Sequence, residues 1–186
     1  MTGKSILVQI LALTFLAVTC AASARADDAS RAKAQSLVNA AIQLTDSNQA
    51  VKMLWQATDI DPTDDQAYIY LGLYYDSRED FDHVVQVYKK LIKYHPDQIS
   101  AYLNIGEAYM SFQPPRYSDA LPYYEKAYKL DPHSSFAALR LGELLAHNGD
   151  RDQAIQYLKQ AADAGATNPS VATEATKELR EMAGSD

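Results

Sequence analysis

The chain has 186 residues, 47% hydrophobic and 22% charged, with seven Gly and seven Pro, which suits one folded domain plus a short extra segment. A net charge of −7 argues against nucleic-acid binding and against direct binding to an anionic membrane, both of which rest on Lys and Arg. The only cysteine, Cys20, lies in the N-terminal apolar stretch, so a mature chain without it has no disulfide, thiol nucleophile or Cys-bound zinc.

In chain order, Lys4 comes first, then an uncharged stretch from Ser5 to Ala24 with its apolar centre over residues 6–18. Small residues follow, in two A-x-A frames that end at Ala24 and Ala26. This layout predicts a secretory signal peptide over residues 1–26, cleaved after Ala26 in preference to Ala24, and a periplasmic or secreted mature chain. Two alternatives stand beside it. Cys20 could carry a lipid, although Ala17-Val18-Thr19 is a poor lipobox, and the stretch could remain as an uncleaved anchor, which Gln9 and Thr14 weaken. Residues 27–30 form a short lead-in, and cleavage would remove Lys4 and Arg25 but no acidic residue.

From residue 31 a beat sets in. Leu71-Gly72, Ile105-Gly106 and Leu141-Gly142 recur at separations of 34 and 36 residues, and each glycine lies ten residues after Pro62, Pro96 or Pro132. A period of this size predicts stacked helical hairpins, because one hairpin cannot bury its apolar face alone. Four units result, over 31–64, 65–98, 99–134 and 135–168. The first is degenerate, with Ala34, Leu37, Val38 and Ala41 at the motif positions, as befits a terminal unit. The second holds YIYLGLYY and HVVQVYKKLIKYHP, the third YLNIGEAYM and DALPYYEKAYKLDP, and the fourth ALRLGELL and DQAIQYLKQA. These segments resemble the tetratricopeptide repeat family. Asn168-Pro169 then predicts a helix start, and Val171, Ala175, Leu179 and Met182 share one face of a C-terminal capping helix within 169–186. The resemblance implies an all-α fold: a right-handed superhelix, or α-solenoid, of about four hairpins plus that cap.

The motif residues have packing work. Gly72, Gly106 and Gly142 allow the two helices of a hairpin to approach, as do Ala50, Ala120 and Ala154 on the second helix, where unit two has Val84. Tyr68, Tyr75, Tyr88, Tyr102, Tyr109 and Tyr124 read as spacers between hairpins with hydroxyls near the surface, rather than as chemistry.

The family resemblance further implies that first helices line a concave groove for a protein or peptide partner. Carried across, it places Gln35, Asn39, Ile69, Leu73, Asp76, Leu103, Glu107, Met110, Leu139 and Glu143 on that groove. Ile69, Leu103 and Leu139 occupy equivalent places in three units, either as an interaction row or as contacts between first helices. Asn104 and Arg140 match two positions of the clamp by which some family members hold a peptide carboxylate. Ile69, Leu73 and Phe136 stand where that clamp expects Lys, Asn and Lys, so an apolar or mixed ligand fits better.

Other motifs have plainer readings. Pro114-Pro115-Arg116-Tyr117 spells a WW-domain ligand but sits where a stiff inter-helix loop is expected, with Ser118 capping the next helix and Pro122 in its first turn. His83, His95, His133 and His147 share no metal spacing, and there is no phosphate loop or catalytic triad order. The expected function is a non-enzymatic exported adaptor of envelope or secretion assembly, without cofactor or metal. The alternatives are a Cys20-anchored assembly factor and, behind it, an enzyme on this scaffold.

Overall fold

A computed structural model describes residues 27–184, where nine α-helices and one short 3-10 turn make up the regular structure, without a strand. The apolar N-terminal stretch, Cys20 and both cleavage frames lie outside the described residues. No described helix is long and apolar enough to cross a membrane. Contacts divide the chain into two compact units, and the boundary along the sequence falls between Leu71 and Gly72.

The first unit holds α1 (residues 27–41), α2 (Ser47–Ile60) and the start of α3 (Asp65–Asp76). Ala34, Val38 and Ala41 are buried at helical spacing on α1, and Leu54 and Ala57 on α2. Asp46 starts α2 because its carboxylate accepts from the backbone N–H of Asn48 (3.0 Å) and Gln49 (3.2 Å), two donors a helix start leaves free. After α2 the chain turns at Pro62, and the Tyr68 hydroxyl donates back to the Pro62 carbonyl at 3.3 Å.

In the second unit the rest of α3 is followed by α4 (Phe81–Tyr94), α5 (Ile99–Ser111), α6 (Tyr117–Leu130), α7 (Ser135–His147), α8 (Arg151–Asp163) and α9 (Pro169–Gly184). Each helix from α4 to α8 packs on the next, and α9 packs on both α8 and α7. The helix-to-helix distance is set by the beat glycines. A Cβ would stand 2.6 Å from Tyr88 Cζ at Gly72, 2.5 Å from Tyr124 Cζ at Gly106 and 2.6 Å from Leu158 Cγ at Gly142. No residue with a side chain fits there unless the facing ring or leucine moves, and Tyr124 and Leu158 are fully buried.

Turn chemistry explains how the hairpins close. The Tyr102 hydroxyl donates to the Pro96 carbonyl at 2.9 Å, six residues back, repeating the Tyr68–Pro62 bond of the first unit. At Pro132 the corresponding residue is Ala138, and Gln160 Nε2 donates to that carbonyl at 2.6 Å instead. Tyr128 in turn donates to Gln160 Oε1 at 2.7 Å. The turn carbonyl is satisfied in all three places, by different side chains. Two tight turns share another device, in which a residue with positive φ lets the next N–H bond back to a carbonyl five residues earlier. Gly149 (φ 87°) does this after α7, with Asp150 N–H to Leu145 O at 2.8 Å; Glu79 (φ 57°) does it after α3, with Asp80 N–H to Tyr75 O at 3.0 Å.

The α5–α6 connection departs from the sequence reading. Helix α6 begins at Tyr117, so Ser118 lies inside the helix rather than capping it, and its N-cap Arg116 makes no side-chain cap bond. Arg116 instead closes the loop through its N–H to Tyr109 O at 2.9 Å and lies over the Phe112 ring, 3.9 Å from its centroid. Pro122 therefore falls in the second turn, on the exposed side, where the one lost backbone bond faces water. Tyr117 packs against His147 with ring centroids 4.0 Å apart and the planes tilted by 44°. The Pro-Pro-Arg-Tyr segment is thus built into the hairpin.

Candidate partner-binding face

The part of α3 beyond Gly72 and the first helices α5 and α7 carry most of the expected groove residues. Between α3, α4 and α5 lies a cavity of about 290 Å³, lined by Leu73, Asp76, Tyr88, Asn104, Glu107 and Ala108 among others. Leu73 is 59% exposed, the most exposed of the large hydrophobic side chains among the described residues. Asn104 is half-buried and Asp76 exposed, and among the described residues neither side chain makes a hydrogen bond or ion pair. Burial first and then the charge of Asp76 push the Tyr88 hydroxyl above its ordinary pKa, so it stays protonated in the cavity wall. One mouth therefore offers an apolar contact, an amide and a carboxylate.

Toward α7 the face becomes a charged network. Arg140 binds Glu107 with two N–H groups, Nε to Oε1 at 2.8 Å and Nη2 to Oε2 at 3.1 Å, and binds Glu143 through Nη1 at 2.9 Å. Glu174 of α9 approaches the same guanidinium at 3.7 Å. Tyr124 donates its buried hydroxyl to Glu107 as well, so the expectation that it reaches the surface is corrected. Burial works to lower the Arg140 pKa, but the hydrogen bonds and charges of Glu107 and Glu143 outweigh it and hold the pKa above the ordinary value. Glu143 is pushed up by burial, held back by Arg140 and pushed up again by Glu174 and Glu178. For Tyr124, burial and then Glu107 raise the pKa far out of reach of physiological pH. With its fork engaged on two carboxylates, Arg140 has little left to grip a peptide terminus.

Two tetratricopeptide repeat models match the chain, one over residues 66–133 and the other over 115–175. The chain belongs to the tetratricopeptide repeat family. Among curated proteins no match is found. Solved structures with the same fold include TTC0263, a thermophilic tetratricopeptide protein of Thermus thermophilus, at 21% identity and TM-score 0.56, covering 80% of this chain and 82% of that one. YrrB, described as a tetratricopeptide protein with an unusual peptide-binding site, is 20% identical with TM-score 0.59, over 78% and 76% of the two chains. A MamA structure is 22% identical with TM-score 0.59, over 70% and 77%.

Within this tetratricopeptide fold the expected groove residues separate into three groups. Leu73, Asp76, Asn104 and Glu107 share the cavity, and Arg140 and Glu143 join Glu107 through ion pairs. Leu103 is half-buried against Tyr102, Ala127 and Ala137, so part of its surface belongs to the core; Met110 is also half-buried. Leu139 is fully buried with Ala138, Leu158, Ala161, Val171 and Ala175, which corrects its placement on an open groove. The cause is α9, whose apolar face covers α7 just where an interaction row would continue. In the first unit, Gln35 donates to Asn39 at 3.2 Å and to Gln66 at 3.1 Å, and Ile69 is 40% exposed.

Nothing in the sequence marks Tyr88 or Glu174 as a site residue. Tyr88 reads there as a spacer between hairpins, and Glu174 lies on the capping helix with no signal of its own. A wider hollow of about 500 Å³ opens at the loop end, lined by residues 79–82 and 111–113. Arg116 lies over one face of Phe112, and the hollow holds none of the expected groove residues.

Proposed function

We propose that this chain is a non-catalytic adaptor that holds a segment of another protein at the α3–α5 mouth. Tetratricopeptide proteins serve protein–protein interaction and are generally non-catalytic scaffolds, and the observation that carries the reading here is the exposed Leu73 beside the Asn104 amide, which has no partner among the described residues. An apolar side chain outside the packed core, next to a polar group able to bind backbone, is what an extended segment requires. The peptide-binding site named for YrrB supports the same use of this fold. The N-terminal apolar stretch and its A-x-A frames support export, with a role in bacterial envelope or secretion assembly.

The test is capture of partners from native cells with the chain and with its Leu73→Ser variant, alongside thermal melts. A side chain this exposed should change stability by no more than about 0.5 kcal/mol. Loss of a specific partner at unchanged melting temperature is expected, and equal capture by both proteins would overturn the reading. Mass spectrometry of the exported chain checks the rest. A first residue of Asp27 is expected, whereas a lipid on Cys20 would replace cleavage after Ala26 by anchoring.

A further inference from the structure

We propose that the α3–α5 cavity takes a cationic–apolar segment, a stretch of polypeptide that sets an aliphatic side chain on Leu73 and a Lys or Arg against Asp76. This rests on the partner-binding reading above and specifies the chemistry of the partner. Leu73 supplies the apolar contact and the Asn104 amide, half-buried and without a partner among the described residues, can bond the backbone of an extended chain. Asp76 lines the same cavity and no described cation neutralises it.

Charge complementarity decides the class. Beside this mouth, Glu107, Glu143 and Glu174 converge on one cation, Arg140, and Glu178 stands close enough to act on Glu143. Carboxylates thus outnumber basic groups along the face that runs from α5 through α7 to α9. An acidic partner would meet uncompensated repulsion there, while a basic one is drawn in and oriented before contact. At about 290 Å³, the cavity is smaller than most small-molecule pockets and suits a few side chains, not a cofactor.

The test is fluorescence anisotropy with the purified chain and three labelled peptides in one Gly/Ser background, carrying repeated Leu–Lys, Leu–Ser or Leu–Glu pairs. The Leu–Lys peptide should bind about three- to tenfold more tightly than Leu–Ser, with the advantage shrinking as salt rises, and Leu–Glu should bind least. Asp76→Asn should remove most of that advantage and leave Leu–Ser binding unchanged. Asp152→Asn, the same charge change on the exposed start of α8, should leave all three peptides unaffected.

Equal binding of Leu–Lys and Leu–Ser overturns the cationic assignment, as does an equal loss in Asp76→Asn and Asp152→Asn, which would mean diffuse attraction. A Leu73→Ser variant separates the two levels. If it weakens every peptide while charge makes no difference, the groove stands and only its charge preference falls. If no peptide responds to Leu73→Ser, or none binds, the groove reading falls as well.

Discussion

Replacing Leu139 by alanine removes a side chain with no exposed surface, held by Ala138, Leu158, Ala161, Val171 and Ala175 with Phe136, Leu179 and Met182 around them. At about 0.8 kcal/mol for each buried carbon, the lost transfer free energy alone is about 2.4 kcal/mol. The void adds to this, because three of the closest neighbours are alanines with nothing to swing into the space. The expected cost is therefore about 3–4 kcal/mol, in the middle of the range for such truncations. For a chain of this length that lowers the melting temperature by roughly 6–16 °C. Thermal circular dichroism reads the total, and hydrogen exchange locates it: amides of α9, which rests on Leu139, should lose protection first. Leu73→Ala is the control, expected within about 0.5 kcal/mol because that side chain is mostly in water. A Leu139→Ala protein that melts within about 2 °C of the parent but no longer binds the Leu–Lys peptide would refute the reasoning. Leu139 would then be a groove residue and α9 would not cover it.

Gly106→Ala should cost about 1–3 kcal/mol by denaturant titration, despite the better helix propensity of alanine, because the new Cβ meets a buried Tyr124 ring that Glu107 holds in place. Arg140→Met should cost about 1–2 kcal/mol, since it strands the half-buried Glu107 and Glu143, while their remaining exposure to water keeps the loss below that of a fully buried pair. Glu143 has a folded-state pKa above its unfolded one, so the folded chain binds this proton more readily. The stability of the parent relative to Glu143→Gln should therefore rise as pH falls into the carboxylate range, and a flat difference across that range would contradict the assignment. Glu79→Gly should stabilise by about 0.5–1 kcal/mol, because glycine adopts the positive φ at this turn without strain; a melt that shows destabilisation would count against that geometry.

Much of the architecture is legible from residue spacing because its determinants are local. A small residue at Gly72, Gly106 and Gly142, a proline closing each hairpin and an apolar stripe between them specify where helices run and how closely they meet. Helix starts are less legible. Ser118 is a good cap by composition, yet Tyr117 already begins α6, because Arg116 closes the loop with its own N–H on Tyr109 and its side chain on Phe112. The Pro132 turn makes the same point, since Gln160 does there what Tyr102 does at Pro96, from 28 residues away.

The sequence by itself determined that this chain is a helical repeat and that Leu73, Asp76, Asn104 and Glu107 belong to first helices. It could not tell Leu73 from Leu139, two leucines in similar settings with 59% and 0% of their surface in water. Their fates differ because α9 folds over α7 and seals Leu139, while the mouth beside Leu73 stays open within its own unit. Arg140 likewise matches a clamp position in the sequence, but the structure brings Glu107 and Glu174 to it from 33 and 34 residues away. Periodicity writes down what each helix does with its immediate neighbours. Exposure and charge at a binding face depend on whichever distant element packs opposite, and that is decided only when the chain is folded.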